Sequence, residues 1–393
     1  MKKYSAPYIF IGNGEILENK VIITNDEGEI LAIEAIEDHD PASIHFVEGV
    51  ITPGHINTHC HLELSHMKNK VDTGTSLLPF LINVVSFRNI DEEEIKAAIV
   101  AGDEEMYQNG IVAVGDISNK ADTAPVKAIS KLAYFTFVEM FDFLQPHLTE
   151  STFAQYQAVY EAHEGEGKNR KSFVPHSPYT VTKGLFDKVN SGNDSGTTIS
   201  IHNQETPAEN QLFLDGTGGF MDFYKGFGFS LDQFEPLGKS AIHYIIQSLK
   251  PDFKTLLVHN TTSTLEDIQA ALAWNAQTYW ASCPNANLYI ENRLPDYKAF
   301  LTANAQVTLG TDSLTSNWQL SIAEEMFTIS KYCSYVPFET LVKWACENGA
   351  KALGFEKELG TITQGKTPGL VQMNVTKLGE RFVMRNAAVK RMI

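Results

Sequence analysis

Cysteine is scarce in this chain: four among 393 residues, Cys60, Cys283, Cys333 and Cys346, scattered and without a CxxC pair. So few thiols in a chain this long exclude a disulfide framework and a thiolate zinc site, and they suit a reducing compartment. Basic residues are also in deficit, 31 Lys and Arg against 48 Asp and Glu, for a formal net charge of −17. With no excess cation to release counterions, such a chain repels phosphate backbones and anionic lipid, which excludes nucleic-acid and membrane-surface roles. Long apolar runs are missing. The longest, 77–85, contains Pro79 and Asn83 and falls short of the roughly 20 residues that span a bilayer. The opening Met1-Lys2-Lys3 leads through Tyr4-Ser5-Ala6-Pro7 to Gly12-Asn13-Gly14 with no apolar signal region, so a cytoplasmic location is the expectation. No internal repeat or low-complexity segment is present.

What is there suffices for a sizeable core: 43% apolar and 20% charged residues are ordinary globular values. The length allows two or three domains, or one large barrel with an appendage. The first fifty residues read as short strands between Gly/Asn/Asp turns, as in Lys20-Val21-Ile22-Ile23-Thr24 before Asn25-Asp26-Glu27-Gly28, which predicts a small β module. Eight β-type runs follow, at 51–61, 111–117, 133–140, 172–176, 198–203, 255–259, 278–283 and 306–312. Helical segments separate them, one opening on Asp91-Glu92-Glu93-Glu94, a helix N-terminus. Eight β-then-α units predict an α/β fold, a (β/α)₈ barrel. The tail returns to turn-and-strand patterning at 359–373, which predicts pairing with the N-terminal strands. Gly216-Thr217-Gly218-Gly219 reads as a loop in a long connection overhanging the barrel mouth.

The chemistry concentrates at strand ends. In Pro53-Gly54-His55-Ile56-Asn57-Thr58-His59-Cys60-His61-Leu62, residues two apart on a strand face one side, so His59 and His61 present both imidazoles together. Three more strands end in polar groups: His202 to Glu205 after Ser200-Ile201, His259 after Leu256-Leu257-Val258, and Asp312 after Leu309-Gly310-Thr311. Reacting groups of a (β/α)₈ barrel sit at these C-terminal ends. Any one of these residues could serve a buried hydrogen-bond network; taken jointly, with apolar residues leading into each, they describe a site.

On these residues the chain resembles the amidohydrolase superfamily, within its branch of cytosine/guanine-deaminase-like and chlorohydrolase-like enzymes. The shared motifs are Pro-Gly-x-Ile-Asn-x-His-x-His-Leu at 53–62, Pro-His-Ser-Pro-Tyr at 175–179, His-x-x-Glu at 202–205, His259, Cys-Pro-Asn-Ala-Asn at 283–287 and Leu-Gly-Thr-Asp-Ser at 309–313. The resemblance implies a composite β-sandwich from residues 1–52 and 356–393 beside a barrel domain at 53–355. It implies His59, His61, His202 and Asp312 as ligands of one divalent metal ion, with zinc the best suited and iron or manganese compatible. Relatives with two metals carry a bridging lysine at the end of strand 4; here that strand ends at Pro175-His176, which implies a single metal.

The resemblance further implies Glu205 as proton shuttle, His259 as the group that polarises substrate or positions the attacking water, and Asp312 as acceptor of a second proton. His176 is implied to touch substrate. Glu63, in His-Leu-Glu-Leu-Ser, is a candidate for a polar substrate group or a loop carboxylate paired elsewhere. Arg88 is a candidate clamp for a carboxylate or ribose, or an exposed Arg. Glu209 reads either as a further acid of the 204–240 loop or as a solvated helix residue. The implied function is hydrolytic deamination of an amino-substituted heterocycle or adenosine-type nucleoside, including aminodeoxyfutalosine. The alternatives are a cyclic amide hydrolase or chlorohydrolase, and a catalytically inactive binding barrel, against which the intact residue set argues. His61-Leu62-Glu63 spells the H-x-E of another zinc deaminase class, but the P-C-x-x-C it needs is absent. The implied partner is a small heterocyclic substrate, and a homodimer is the expected assembly.

Overall fold

Two four-stranded parallel sheets form the centre of the computed structural model, which describes residues 1–393. The first places His55–Cys60, Ile111–Ser118, Ala133–Met140 and Arg170–Pro175 side by side in sequence order. The second does the same with Thr198–Asn203, Lys254–His259, Thr278–Ser282 and Gln306–Leu309. Strands covered on both faces read as near-continuous apolar runs, and every residue of Thr198–Asn203 is buried. The sheets meet at both edges. On one side Thr311 N and Asp312 N both donate to His59 O at 3.0 Å, and Cys60 and Asp312 form a parallel bridge. On the other, His202 N donates to His176 O at 2.9 Å and Ser172 Oγ to Thr198 O at 2.8 Å.

Helices follow the strands where the sequence predicts them. Glu92–Gln108 starts at Asp91, whose side chain accepts from Glu93 N, with three glutamates in the positive first turn. Leu265–Trp274 is held by a reciprocal capping box of Thr264 and Asp267. The helices and both parallel sheets share one continuous apolar core, which also takes in Phe10, Val371 and Met373 from the chain ends.

Two expectations change. The run 51–61 is two strands, Val50–Pro53 and His55–Cys60, broken at Gly54. A Cβ at Gly54 would stand 2.3 Å from the Val112 side chain and 2.8 Å from Pro368 O, so only glycine lets the chain turn there. His61 lies one residue past the strand end, and Asp312 lies three past Leu309. The loop expected at 216–219 is present as a turn over 216–218, with φ 73° at Gly216, set between helices Pro207–Asp215 and Gly219–Gly226.

The chain ends interleave. Val50–Pro53 pairs antiparallel with Leu370–Leu378, from Leu370 opposite Pro53 to Met373 opposite Val50, and parallel with Tyr8–Phe10. With Ile16–Leu17 and Arg381–Arg391 these strands make a five-stranded sheet. A four-stranded sheet holds Lys2–Ser5, Lys20–Thr24, Ile30–Ala35 and His45–Phe46. A second, smaller apolar cluster draws Tyr4, Ile22 and Ile30 from one of these sheets and Ile9, Ile51 and Leu370 from the other. No helix is long and apolar enough to cross a membrane.

Candidate active site

His59, the fifth residue of its strand, is fully buried, yet neither ring nitrogen makes a hydrogen bond. Ligand nitrogens of His59, His61 and His202 all lie within 4.8 Å of one another. His61 Nε2 stands 3.4 Å from His202 Nε2. Asp312 Oδ1 stands 3.7 Å from His59 Nε2 and 3.6 Å from His61 Nε2, while Oδ2 accepts from Ser316 Oγ at 2.6 Å. Buried polar atoms are almost always partnered, so idle nitrogens converging on a carboxylate fit a cation cradle. Close approach of the strand ends makes this possible: a Cβ at Gly310 would stand 2.8 Å from His59 Cβ and 3.0 Å from Cys283 Sγ.

Protonation suits the same role. Burial, reinforced by the neighbouring His59, pushes His61 down to about 3, and burial lowers His59 as well. Both present lone pairs at neutral pH. Burial alone would raise the Asp312 carboxyl, but the surrounding imidazoles of His59, His61 and His259 hold it well below the usual carboxylate range. His202 differs: burial lowers it, but Glu139 outweighs that and raises it to about 9. Its Nδ1 donates to His176 O at 2.8 Å, which leaves Nε2 as the atom facing His61.

Beside the cradle, Glu205 Oε1 lies 3.6 Å from His259 Nε2. Burial raises the Glu205 carboxyl well above its usual range. The Asn287 amide nitrogen is 3.0 Å from His259 Nδ1; donating there, it leaves the ring proton on Nε2, toward Glu205. Glu209 is buried, not solvated, and its two carboxylate oxygens accept from Gln204 N at 2.9 Å and Glu205 N at 3.1 Å. Three residues of the site hold the left-handed backbone region that branched or bulky residues avoid: Gln204 at φ 48°, His259 at 72° and Asp312 at 57°. Such conformations cost roughly 1–3 kcal/mol each and gather at functional sites.

Of these groups, His61, His202, Glu205, His259 and Asp312 line the floor of a cavity of about 990 Å³, part of it open to solvent. Its walls are apolar, built from Phe80 and Val84 of helix Leu77–Phe87, Phe141 and Phe143 after the third parallel strand, Tyr179, and Phe223 of helix Gly219–Gly226. His176 and Arg88 supply polar points on the wall. Glu63 does not line the cavity. It is buried behind the wall, where it accepts from Asn119 N at 2.9 Å and Lys120 N at 3.3 Å and pairs with Arg88 Nη2 at 3.5 Å. Burial raises its carboxyl to about 7.

Sequence reasoning passed over Glu139 and Asn119, both of which line the cavity. The signal for Glu139 was the one used elsewhere, an acid near the end of an apolar strand, Tyr134-Phe135-Thr136-Phe137-Val138-Glu139.

Comparison with known proteins agrees with this geometry. Residues 50–391 match the sequence model of the amidohydrolase family. An adenosine deaminase of Helicobacter pylori is 26% identical over an alignment covering 98% of this chain and 94% of that protein. The crystal structure of Helicobacter pylori aminofutalosine deaminase with methylthio-coformycin superposes with a TM-score of 0.79 at 22% identity, covering 96% of this chain and 93% of that one. An adenosine deaminase from Xanthomonas campestris with bound zinc superposes with a TM-score of 0.73 at 21% identity, covering 95% and 84%. At these identities the structural likeness is one of fold, the TIM-barrel type. The matched span includes every strand end that carries the cradle, and the chain therefore belongs to the amidohydrolase family of metal-dependent hydrolases.

Proposed function

We propose that this protein hydrolytically removes the exocyclic amine of an adenosine-type nucleoside or a closely related amino-substituted heterocycle. The observation that carries this reading is the juxtaposition of the His59, His61, His202 and Asp312 cradle with buried Glu205 and His259 at the floor of an apolar cavity. The names of the relatives, deaminases of adenosine-type compounds, support the same choice.

In this reading His59, His61, His202 and Asp312 hold one divalent ion, and the nitrogen-rich set suits zinc. The ion, when bound, would supply a Lewis acid that lowers the pKa of a water to about 7. Glu205 takes a proton from the attacking water and delivers it to the ring nitrogen beside the carbon that bears the amine. Its raised pKa lets it carry that proton at neutral pH. His259 donates from Nε2 and orients the attacking oxygen. Asp312, held ionised, accepts the second proton and passes it to the departing ammonia. Phe80, Phe141, Phe143 and Phe223 offer faces for a planar ring and exclude water. His176 and Arg88 orient the polar substituents of the substrate, with Glu63 bracing Arg88 from behind.

The architecture behind this reading is a single closed (β/α)₈ barrel at 53–355, with a β-sandwich composed of residues 1–52 and 356–393. The edge bonds at His59 O and His176 O support the closure, and the shared cluster of Ile9, Ile22 and Leu370 supports the sandwich.

The test is ammonia release by zinc-loaded protein from a panel of adenosine, 5′-modified adenosines, aminodeoxyfutalosine, aminopurines and aminotriazines. Turnover of at least one nucleoside is expected. Silence across the amines together with turnover of lactams or chlorotriazines overturns the deaminase reading in favour of another hydrolysis on the same cradle.

A further inference from the structure

Glu139 is the penultimate residue of Ala133–Met140 and is buried at the mouth of the strand. Its Oε1 lies 3.0 Å from His176 Nδ1 and 3.3 Å from His202 Nδ1. Its Oε2 accepts from Asn119 Nδ2 at 3.0 Å, and the same amide nitrogen also reaches Glu139 O at 3.0 Å. Asn119 is held in turn by Glu63, which accepts from its backbone N–H, and Glu63 pairs with the cavity-lining Arg88. One carboxylate thus touches an imidazole of the cradle and an imidazole of the cavity wall. Through Asn119 and Glu63 it is tied to the guanidinium on that wall. Nothing in the proton path described above uses it.

We infer that Glu139 is a positioning residue that fixes His202 and His176 together, linking the metal cradle to the substrate-facing wall. The inference rests on the reading of His202 as a metal ligand. Its physical basis is the far nitrogen of the imidazole. A carboxylate there sets the tautomer, locks the ring orientation and raises the basicity of the nitrogen that faces the ion, and loss of such a partner typically weakens metal binding 10–100-fold. The backbone carbonyl of His176 already fixes that tautomer, and what Glu139 adds is the negative charge beside the same nitrogen. His176 O accepts from His202 Nδ1, but it carries no charge, and its own side chain leans on the same Glu139 oxygen. Glu139→Gln keeps the size and removes the charge. A shift of either ring therefore moves a ligand of the cradle and a contact of the cavity at once.

The experiment is zinc competition against a chromophoric chelator, run on the full-length protein and on Glu139→Gln, Asn119→Ala and His202→Ala, with the visible spectrum of the cobalt-loaded forms as a second readout. Glu139→Gln is expected to bind zinc 10–100-fold more weakly and to shift the cobalt bands. Asn119→Ala, which keeps the carboxylate but frees its other oxygen, is expected to show a smaller loss in the same direction. Zinc affinity within twofold of the parent and an unmoved cobalt spectrum in Glu139→Gln, with binding lost in His202→Ala, overturn the role of Glu139 and leave the cradle standing. Unchanged affinity in His202→Ala overturns the cradle itself, and this inference falls with it. If Glu139→Gln does not fold, Asn119→Ala decides: parent-like affinity and spectrum in that folded variant overturn the inference.

Discussion

His61 Nε2 and His202 Nε2 lie 3.4 Å apart although the two residues are 141 positions apart in the chain. Two buried imidazole nitrogens at that distance are reconciled by a shared proton or a shared cation, and the carboxylate of Asp312 makes the cation the better occupant. Removal of metal with a chelator is therefore expected to abolish ammonia release and lower the unfolding temperature, and zinc is expected to restore both. A ligand at 1,000 times its Kd stabilises the folded state by about 4.1 kcal/mol. Scanning calorimetry with and without chelator checks this; identical melting curves and undiminished turnover would falsify the cradle.

Glu205 faces His259 from a buried position with a raised carboxyl. Glu205→Gln keeps the shape and removes the transferable proton. Its kcat is expected to fall by about 10²–10⁴-fold, with zinc content unchanged by elemental analysis. Parent-like kcat in that variant takes Glu205 off the proton path.

Glu209 supports Glu205 through the backbone, accepting from Gln204 N and Glu205 N while Gln204 sits at φ 48°. Glu209→Ala strands two buried N–H groups, at about 1–3 kcal/mol each. Urea unfolding is expected to show that loss, and kcat is expected to drop more than KM rises. Glu209→Gln, whose amide oxygen still accepts one bond, is expected to fall between the parent and Glu209→Ala in both measurements. Equal stability of all three proteins would show that these bonds hold nothing.

Lys127 Nζ lies 2.6 Å from Asp116 Oδ2, with both side chains buried, and Asp116 Oδ1 accepts from Leu62 N at 2.8 Å, one residue after His61. Lys127→Met leaves a buried carboxylate unpaired and is expected to cost about 3–5 kcal/mol. The double variant Asp116→Asn/Lys127→Met is expected to recover part of that loss, because no charge is then stranded. Chemical denaturation of the three proteins reads the difference, and a double variant no better than the single one counts against the charge argument.

His55 is buried and its pKa is lowered to about 4, by burial first and then by the Arg391 charge. An imidazole in the unfolded chain titrates near 6.5. The unfolded state therefore takes up this proton at higher pH than the native state does. The contribution of His55 to stability is complete above about 6.5 and is lost as pH falls from there towards 4, by up to about 3 kcal/mol. Urea midpoints of the parent and of His55→Gln, each measured at neutral and at mildly acidic pH, check the sign: the parent is expected to lose more stability on acidification than the variant. Equal losses would remove His55 from the acid sensitivity.

Much of the site is legible in the sequence because the signal is local. His59 and His202 are each the penultimate residue of a strand, His259 ends one and Asp312 follows one, and a barrel collects such ends at one mouth. The strand character of the tail is legible for the same reason, but its partner is not: it pairs with Val50–Pro53, which the sequence pattern runs together with the first parallel strand. Gly54 is not: its break depends on Val112 and Pro368, which no local pattern brings near. Glu63 is not either. The sequence places it two residues after His61, but whether it faces the cavity or braces Arg88 depends on Asn119 and Lys120, more than fifty residues away.

Residue types, their strand-end positions and their order were thus determined by the amino-acid sequence alone, and with them the family and the class of chemistry. Tertiary structure alone decided which nitrogen faces which, that Glu209 is buried under Glu205, and that Glu139 touches both His176 and His202. The physical reason is range. Strand periodicity acts over a few residues, whereas a hydrogen bond or a metal cradle depends on ångström-scale register between segments more than a hundred residues apart, and only the packed core sets that register.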